Sequence, residues 1–234
     1  VMMVESSHAV NPNVYAKPAY DPVKDFTPIS NIANVPGVMV VGFDSAYKSV
    51  RDVVEAARKA PGKLNYGSSG NGGYSHLSGA LFGNTTGTQI THVPYKGLGP
   101  ALNDLMAKQI DVVFDNMPSS GGLIAGKQLR ALAVSSPKRL ASLPDVPTYA
   151  EAGLKPMNEM SWYGIGAPAN LDPAILARLS AALKKTLQNP ELVKTIEQQS
   201  AIVDYQTPQQ FKETVERSNK AWARLVKDIG FEKM

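Results

Sequence analysis

Between Phe26 and Val134 the chain alternates short β-prone apolar runs with helical stretches of about ten residues, and glycine or proline marks almost every junction. Phe26–Ala33 and Val35–Gly42 read as strands. Ser49–Lys59 carries Val50, Val53, Val54 and Ala57 at helical spacing and stops at Ala60-Pro61-Gly62. Then come Lys63–Tyr66 (strand), a Gly/Ser loop, Ser75–Phe82 (helix), Gln89–Tyr95 (strand), Gly97–Lys108 (helix), and the strands Ile110–Asp115 and Leu129–Val134. This alternation predicts βαβ units and a mostly parallel sheet, an α/β fold.

The ends of the chain are patterned differently. Val1–Val4 is an apolar stub followed by a Pro- and Asn-rich loop through Pro22. Leu143-Pro144-Asp145-Val146-Pro147 breaks the alternation, and Trp162–Ala167 is a further strand. From Asp172 the chain turns helical, over Asp172–Gln188, Pro190–Gln199 and Pro208–Ile229. The last of these places Phe211, Val215, Trp222, Leu225, Val226 and Ile229 on one core-facing stripe.

Composition removes several classes of function. The 234 residues suit one large domain or two small ones. The net charge of +4 is mild and scattered, with Lys138-Arg139 and Lys184-Lys185 the densest pairs, so no basic stripe offers itself to nucleic acid. The longest apolar run, Val38–Val41, is far short of the ~20 residues a membrane-spanning helix needs, so no membrane insertion is expected. The absence of cysteine excludes disulfides, thiolate metal sites and thiol nucleophiles, and leaves the compartment open. His8, His76 and His92 are widely spaced with no carboxylate cluster beside them, so no metal site or cofactor is assigned. No Ser/His/Asp order and no carboxylate pair emerges, so no catalytic residue is assigned either.

The informative residues lie at strand ends. Gly121–Gln128 nearly spells a phosphate loop, but Gln128 replaces the magnesium-binding hydroxyl and a strand follows; a helix C-cap at Gly126 explains it better. Tyr66–His76 follows a strand and opens a helix. As a dinucleotide fingerprint it has Ser75 for the third glycine, and the next strand ends in Tyr95-Lys96 instead of an acid. As a nucleophile elbow it fails at Asn71. As an anion nest it has what is needed: small residues, free N–H groups and hydroxyls. A plain Gly-rich turn capped by Ser75 stays open beside it. A second junction contains Tyr95, Lys96 and Gly97, a third ends at Asp115, and Ser6-Ser7-His8 follows the N-terminal stub. Ligands of open α/β sheets bind outside the carboxyl ends of strands, so these junctions point to one crevice.

The same segments carry a family resemblance. Ser6-Ser7-His8-Ala9-Val10-Asn11-Pro12, Tyr20–Pro28, Lys63–Gly72, His92–Gly97, Phe114-Asp115-Asn116, Leu129–Val134, Leu143–Thr148, Glu151-Ala152-Gly153-Leu154 and Trp162-Tyr163-Gly164 resemble, in order, the tripartite tricarboxylate transporter substrate-binding proteins, or Bug family of bacterial periplasmic receptors. The resemblance implies a two-lobed type II periplasmic binding-protein fold with a ligand cleft between lobes that close by hinge motion. The first lobe is expected from residues 1–42 plus 163–234 and the second from residues 43–162. It implies capture of a small organic carboxylate or acidic amino acid for membrane permease subunits, and no enzymatic step.

Carried over residue by residue, Ser68, Ser69, Gly70 and Asn71 would form a carboxylate loop with Ser75 and His76 at the helix start. Tyr95, Lys96 and Gly97 would line the same side, Asp115 would face the ligand's distal end, and Ser6, Ser7 and His8 would contribute from the first lobe. The family begins with further strand–helix units carrying a second anion loop, so an incomplete first lobe and a fragment of a longer receptor are expected. The rival reading is an α/β enzyme using the Gly/Ser loop as an oxyanion or phosphate site; a domain that senses without transport is a third.

Overall fold

A computed structural model describes residues 1–234. The chain divides into two compact units, Val1–Val35 with Ser161–Met234, and Pro36–Met160.

In the first unit, β1 (Met2–Glu5), β8 (Ser161–Pro168), β2 (Phe26–Val35) and β9 (Ile202–Val203) form a sheet in that order, every pair antiparallel. Helices α1 (Ser7–Val14), α6 (Pro173–Thr186), α7 (Pro190–Gln198) and α8 (Pro208–Asp228) complete it. Thr207 and Gln210 form a capping box that starts α8, whose Phe211, Thr214, Val215, Leu225 and Val226 are buried while Trp222 and Ile229 are half-buried. Trp162 meets the Phe211 ring edge-on at 5.3 Å. Gly164 makes that packing possible, since a Cβ there would lie 2.2 Å from Phe211.

Helix α1 falls where the sequence reads as loop, because Pro12 sits inside it. Pro12 has no N–H for the carbonyl of His8 one turn earlier, and the Tyr20 hydroxyl donates to that carbonyl instead, at 3.2 Å. A contact from outside the helix thus offsets the defect.

The second unit is a five-stranded sheet in the order β5 (Thr91–Pro94), β4 (Asn65–Ser68), β6 (Val112–Asn116), β3 (Gly37–Gly42), β7 (Leu129–Val134). β4 runs parallel to β5 and β6, whereas β3 is antiparallel to β6 and β7. The expected mostly parallel sheet therefore needs correction: the first unit's sheet is antiparallel, and β3 inserts reversed between two strands of common direction. Only Pro36 separates β2 from β3, so no crossover helix sets the direction of β3.

All six residues of β3 are buried, because both faces of the sheet are covered. Met39 and Val41 pack with Val53, Ala57, Phe82 and Phe114, while Val38 and Val40 pack with Leu102, Leu105, Met117 and Leu129. Each such side chain removed from water stabilises the fold by about 1.5–3 kcal/mol. The pairing of β3 also moves the expected boundaries: the chain leaves the first unit after Val35, not after Gly42, and returns at Ser161, not at Tyr163. Helix α2 (Val50–Lys59) starts at a Ser49/Asp52 capping box and buries Val50, Val53 and Ala57. Helices α3 (Tyr74–Thr86), α4 (Leu98–Met106) and α5 (Met117–Ala125) follow β4, β5 and β6. The phosphate-loop look-alike is the end of α5, with Gly126 as C-cap and Lys127 at φ 55° leading into β7.

Candidate ligand-binding site

The parallel register places Ser68 of β4 opposite Pro94 of β5, and Gly67 opposite Val113 of β6. The loops that follow these strands therefore leave one edge of the sheet, and α3, α4 and α5 begin there. Their N-caps are Gly73, Gly97 and Asn116, none of which makes a side-chain capping bond, and none of the three helices has an acidic residue in its first turn. Elsewhere the helix starts are filled: Ser49, Asp172, Asn189 and Thr207 cap α2, α6, α7 and α8, and the Glu5 carboxylate accepts the Ser7 N–H of α1. The positive ends of three helix dipoles, none with a side-chain cap, therefore gather at one edge, an arrangement suited to an anion.

The Ser68–Gly73 loop is built from short internal bonds. Gly70 and Gly72 adopt φ of 130° and 70°, which glycine takes without a Cβ penalty. The buried Ser75 hydroxyl accepts the Ser69 N–H at 2.9 Å and lies 3.2 Å from the Ser69 hydroxyl. The buried Ser68 hydroxyl lies 3.1 Å from both the Gly70 N–H nitrogen and the Gly70 carbonyl, and 2.5 Å from His92 Nε2. His76 Nδ1 accepts the Gly72 N–H at 3.0 Å. Ser69 and Asn71 are exposed, and the Asn71 amide has no protein partner.

The second junction is tied to the first. Tyr95 N–H donates to the Ser68 carbonyl at 3.0 Å, and Gly97 N–H, at φ 100°, reaches the Ser69 carbonyl at 3.4 Å. Lys96, between Tyr95 and Gly97 in sequence, is exposed and without an ion-pair partner. The Tyr95 hydroxyl donates to Asp104 at 2.7 Å; desolvation first and then Asp104 push it up to about 12.

Asp115 is buried, and its carboxylate accepts the Asn116 N–H at 2.7 Å and the Ser120 hydroxyl at 2.5 Å. Burial raises its affinity for a proton, against the lowering effect of bonds from Ser120, Ser119 and Asn116. Asp115 thus secures the first turn of α5. Asn116 Oδ1, next to it, is buried without a hydrogen-bond partner. At the start of β3, the Ser135 hydroxyl accepts the Gly37 N–H at 2.6 Å, and the Tyr74 hydroxyl fills the place a Gly37 Cβ would need, at 2.2 Å.

Ser68, Ser69, Gly70, Asn71, Ser75, His76, Tyr95, Lys96, Gly97 and Asp115 thus share one sheet edge. Ser6, Ser7 and His8 belong to the first unit and are engaged within it. The Ser6 hydroxyl accepts the Trp162 N–H at 2.7 Å, and the Ser7 hydroxyl donates to Glu5. His8 Nε2 meets the Pro22 carbonyl at 3.0 Å, with its ring 5.0 Å from Tyr20 and 4.5 Å from Phe26; burial lowers its pKa. Tyr74, His92, Asn116 and Ser135 are the site neighbours that sequence reasoning left out. Asn116 had a signal, an N-capping residue two before Pro118. The others depend on strand register.

No three His, Cys, Asp or Glu side chains converge as a metal site, and no helix is long and apolar enough to cross a membrane. Comparison with known proteins places the geometry in context. The family model described as "Tripartite tricarboxylate transporter family receptor" matches residues 1–231. Protein BugT of Bordetella pertussis is 31% identical over 211 residues, covering 90% of this chain and 65% of its own length. The structure of a periplasmic transporter superposes with a TM-score of 0.86 at 38% identity, covering 96% of this chain and 76% of that one. Rhodopseudomonas palustris Rpa4515, solved with adipate, gives a TM-score of 0.86 at 33% identity, covering 99% of this chain and 78% of that one. The chain spans a little under two thirds of the length of three of the curated relatives it matches, BugT among them, at 62–65%. The fold is that of the periplasmic binding proteins, and the chain belongs to the tripartite tricarboxylate transporter receptor family, TctC.

Proposed function

We propose that this chain is the ligand-binding part of a periplasmic solute receptor that captures a small organic carboxylate and delivers it to membrane permease subunits, with no covalent step. The observation that carries the reading is the gathering on one sheet edge of three helix starts without a side-chain cap, at Gly73, Gly97 and Asn116. A carboxylate there replaces the missing caps. The Ser69 hydroxyl, the Asn71 amide and the Lys96 ammonium supply donors and charge to it, Gly70 and Gly97 leave room for its approach, and Ser68, Ser75, His76, Tyr95 and Asp115 hold the loops in place. Ser6, Ser7 and His8 act as supports within their own unit. Each hydrogen bond to an ionised carboxylate contributes about 1.5–3 kcal/mol, so three or four supply about 5–12 kcal/mol, from which the cost of association is subtracted.

The enzyme reading draws no support from the matching family, which is one of receptors. Ser68 and His92 are in contact, but the same hydroxyl is also bonded to both backbone groups of Gly70.

A thermal-shift and calorimetric screen of mono-, di- and tricarboxylates, including adipate, tests the proposal. A ligand at a hundred times its Kd stabilises by about 2.7 kcal/mol, which raises the Tm by roughly 5–10 °C in a chain of this size. If no organic anion raises the Tm or gives binding heat, the receptor reading fails.

A further inference from the structure

The two histidines of the second unit are 16 positions apart in sequence and in face-to-face contact, with ring centroids 3.7 Å apart and planes 5° from parallel. His92 lies on β5 opposite Tyr66 of β4, and His76 descends from the first turn of α3. Each imidazole holds one end of the Gly/Ser loop, His92 through the Ser68 hydroxyl and His76 through the Gly72 N–H.

The proton inventory of these contacts closes in one way. The Ser68 oxygen has one proton and two lone pairs. The Gly70 N–H takes one lone pair. If His92 Nε2–H donates to the other, the hydroxyl proton is left for the Gly70 carbonyl, and all three contacts are hydrogen bonds. With the opposite tautomer, the carbonyl contact has no proton. His76 Nδ1 accepts the Gly72 N–H, so its own proton is on Nε2. An imidazolium has donors at both nitrogens and accepts nothing, so a charged His76 must release the buried Gly72 N–H.

We propose that His76 and His92 are a stacked pair of positioning residues that keep the Ser68–Gly73 loop in its anion-accepting shape, and that His76 must be neutral for the site to bind. The inference rests on the carboxylate-site reading of this loop. Titratable rings that face His76 include His92 from β5 and Tyr66 from β4, whose hydroxyl donates to the His76 carbonyl at 3.2 Å. Burial disfavours charge on both imidazoles, and His76 adds to the effect on His92, which is held down at about 4. Tyr66 is kept protonated by its burial. The sign follows: the competent form is the deprotonated one, so affinity is full at neutral pH and falls by up to about tenfold per pH unit once the pH is below the His76 value.

Two measurements test the pair. Imidazole and amide NMR of the ligand-free protein is expected to show His76 in the Nε2–H form at about pH 7.5, with the Gly72 amide resonance moving as His76 titrates. A His76 Nδ1–H form, or a Gly72 amide indifferent to that titration, overturns the inference whatever the ligand. Calorimetry with adipate between about pH 7.5 and about pH 5 then compares wild type with His76→Asn, whose side-chain oxygen can accept the Gly72 N–H but does not titrate. Whatever its absolute affinity, His76→Asn is expected to show a smaller ratio of acid to neutral Kd than wild type, with adipate's own protonation common to both. Equal ratios, or tighter wild-type binding in acid, overturn the inference. Should adipate not bind, the carboxylate screen decides the receptor reading and the NMR titration alone decides the pair.

Discussion

Gly73→Asp puts the anion argument to its sharpest test. Gly73 is the N-cap of α3, with φ −75° and ψ 169°, a conformation open to any residue. A Cβ there would meet the Ser69 hydroxyl oxygen at 3.3 Å and the Gly70 carbonyl at 3.7 Å, and the exposed Ser69 side chain can turn aside. An aspartate at this position supplies the cap that α3 lacks. Relative to glycine it contributes a few tenths of a kcal/mol as a cap and about 0.3–1 kcal/mol with the helix dipole, so the ligand-free protein should be as stable as wild type or slightly more so. Binding is expected to change in the opposite direction. With about 5 Å between the new carboxylate and a bound one, and an effective dielectric near 20, repulsion is about 3 kcal/mol, or roughly two orders of magnitude in Kd. Titration calorimetry reads the affinity, a urea melt without ligand reads the stability, and Gly73→Ala controls for bulk. Carboxylate affinity within a few-fold of Gly73→Ala would refute the reasoning, because the uncapped helix start would then take no part in binding.

Three further predictions address the scaffold. Gly164→Ala places a methyl 2.2 Å from the Phe211 ring and 2.8 Å from the Ser30 carbonyl oxygen, so a loss of at least about 2 kcal/mol is expected in urea denaturation; an unchanged midpoint would contradict the packing. Tyr95→Phe removes the bond to Asp104 and should cost about 1–2 kcal/mol of stability, while carboxylate affinity changes by less than about threefold because the hydroxyl is already committed; a large affinity loss would make that hydroxyl a ligand contact. His92 has a folded-state pKa of about 4, below its ordinary value, so it binds fewer protons folded than unfolded. Its contribution is present above about pH 6.5 and lost as the pH falls toward 4, and His92→Gln should flatten stability over that window.

Much of the local structure was legible. The Leu129–Val134 strand, the Ser49 start of α2 and the Gly126 stop of α5 follow from hydrophobic period, capping chemistry and glycine punctuation, which act within a few residues. The Gly/Ser turn between β4 and α3 was legible for the same reason. What escaped were effects carried by distant partners. Tyr20 sustains a helix across Pro12, and Asp115, readable as a ligand-facing carboxylate, holds its own helix start through Asn116 and Ser120.

The sequence by itself determined the alternation of strands and helices, the absence of thiols, the run of glycines and hydroxyls after β4, and the family. Tertiary structure decided which strands are neighbours and in which direction. Insertion of β3 between β6 and β7 moved the unit boundary, and the parallel register of β4, β5 and β6 brought three uncapped helix starts to one edge. The same register set His92 against Tyr66 and let His76 stack on it. Hydrophobic period specifies that a strand forms and which side chains it buries, whereas pairing depends on the fit of surfaces far apart in the chain, and a shift of one residue would turn every one of those side chains to the other face.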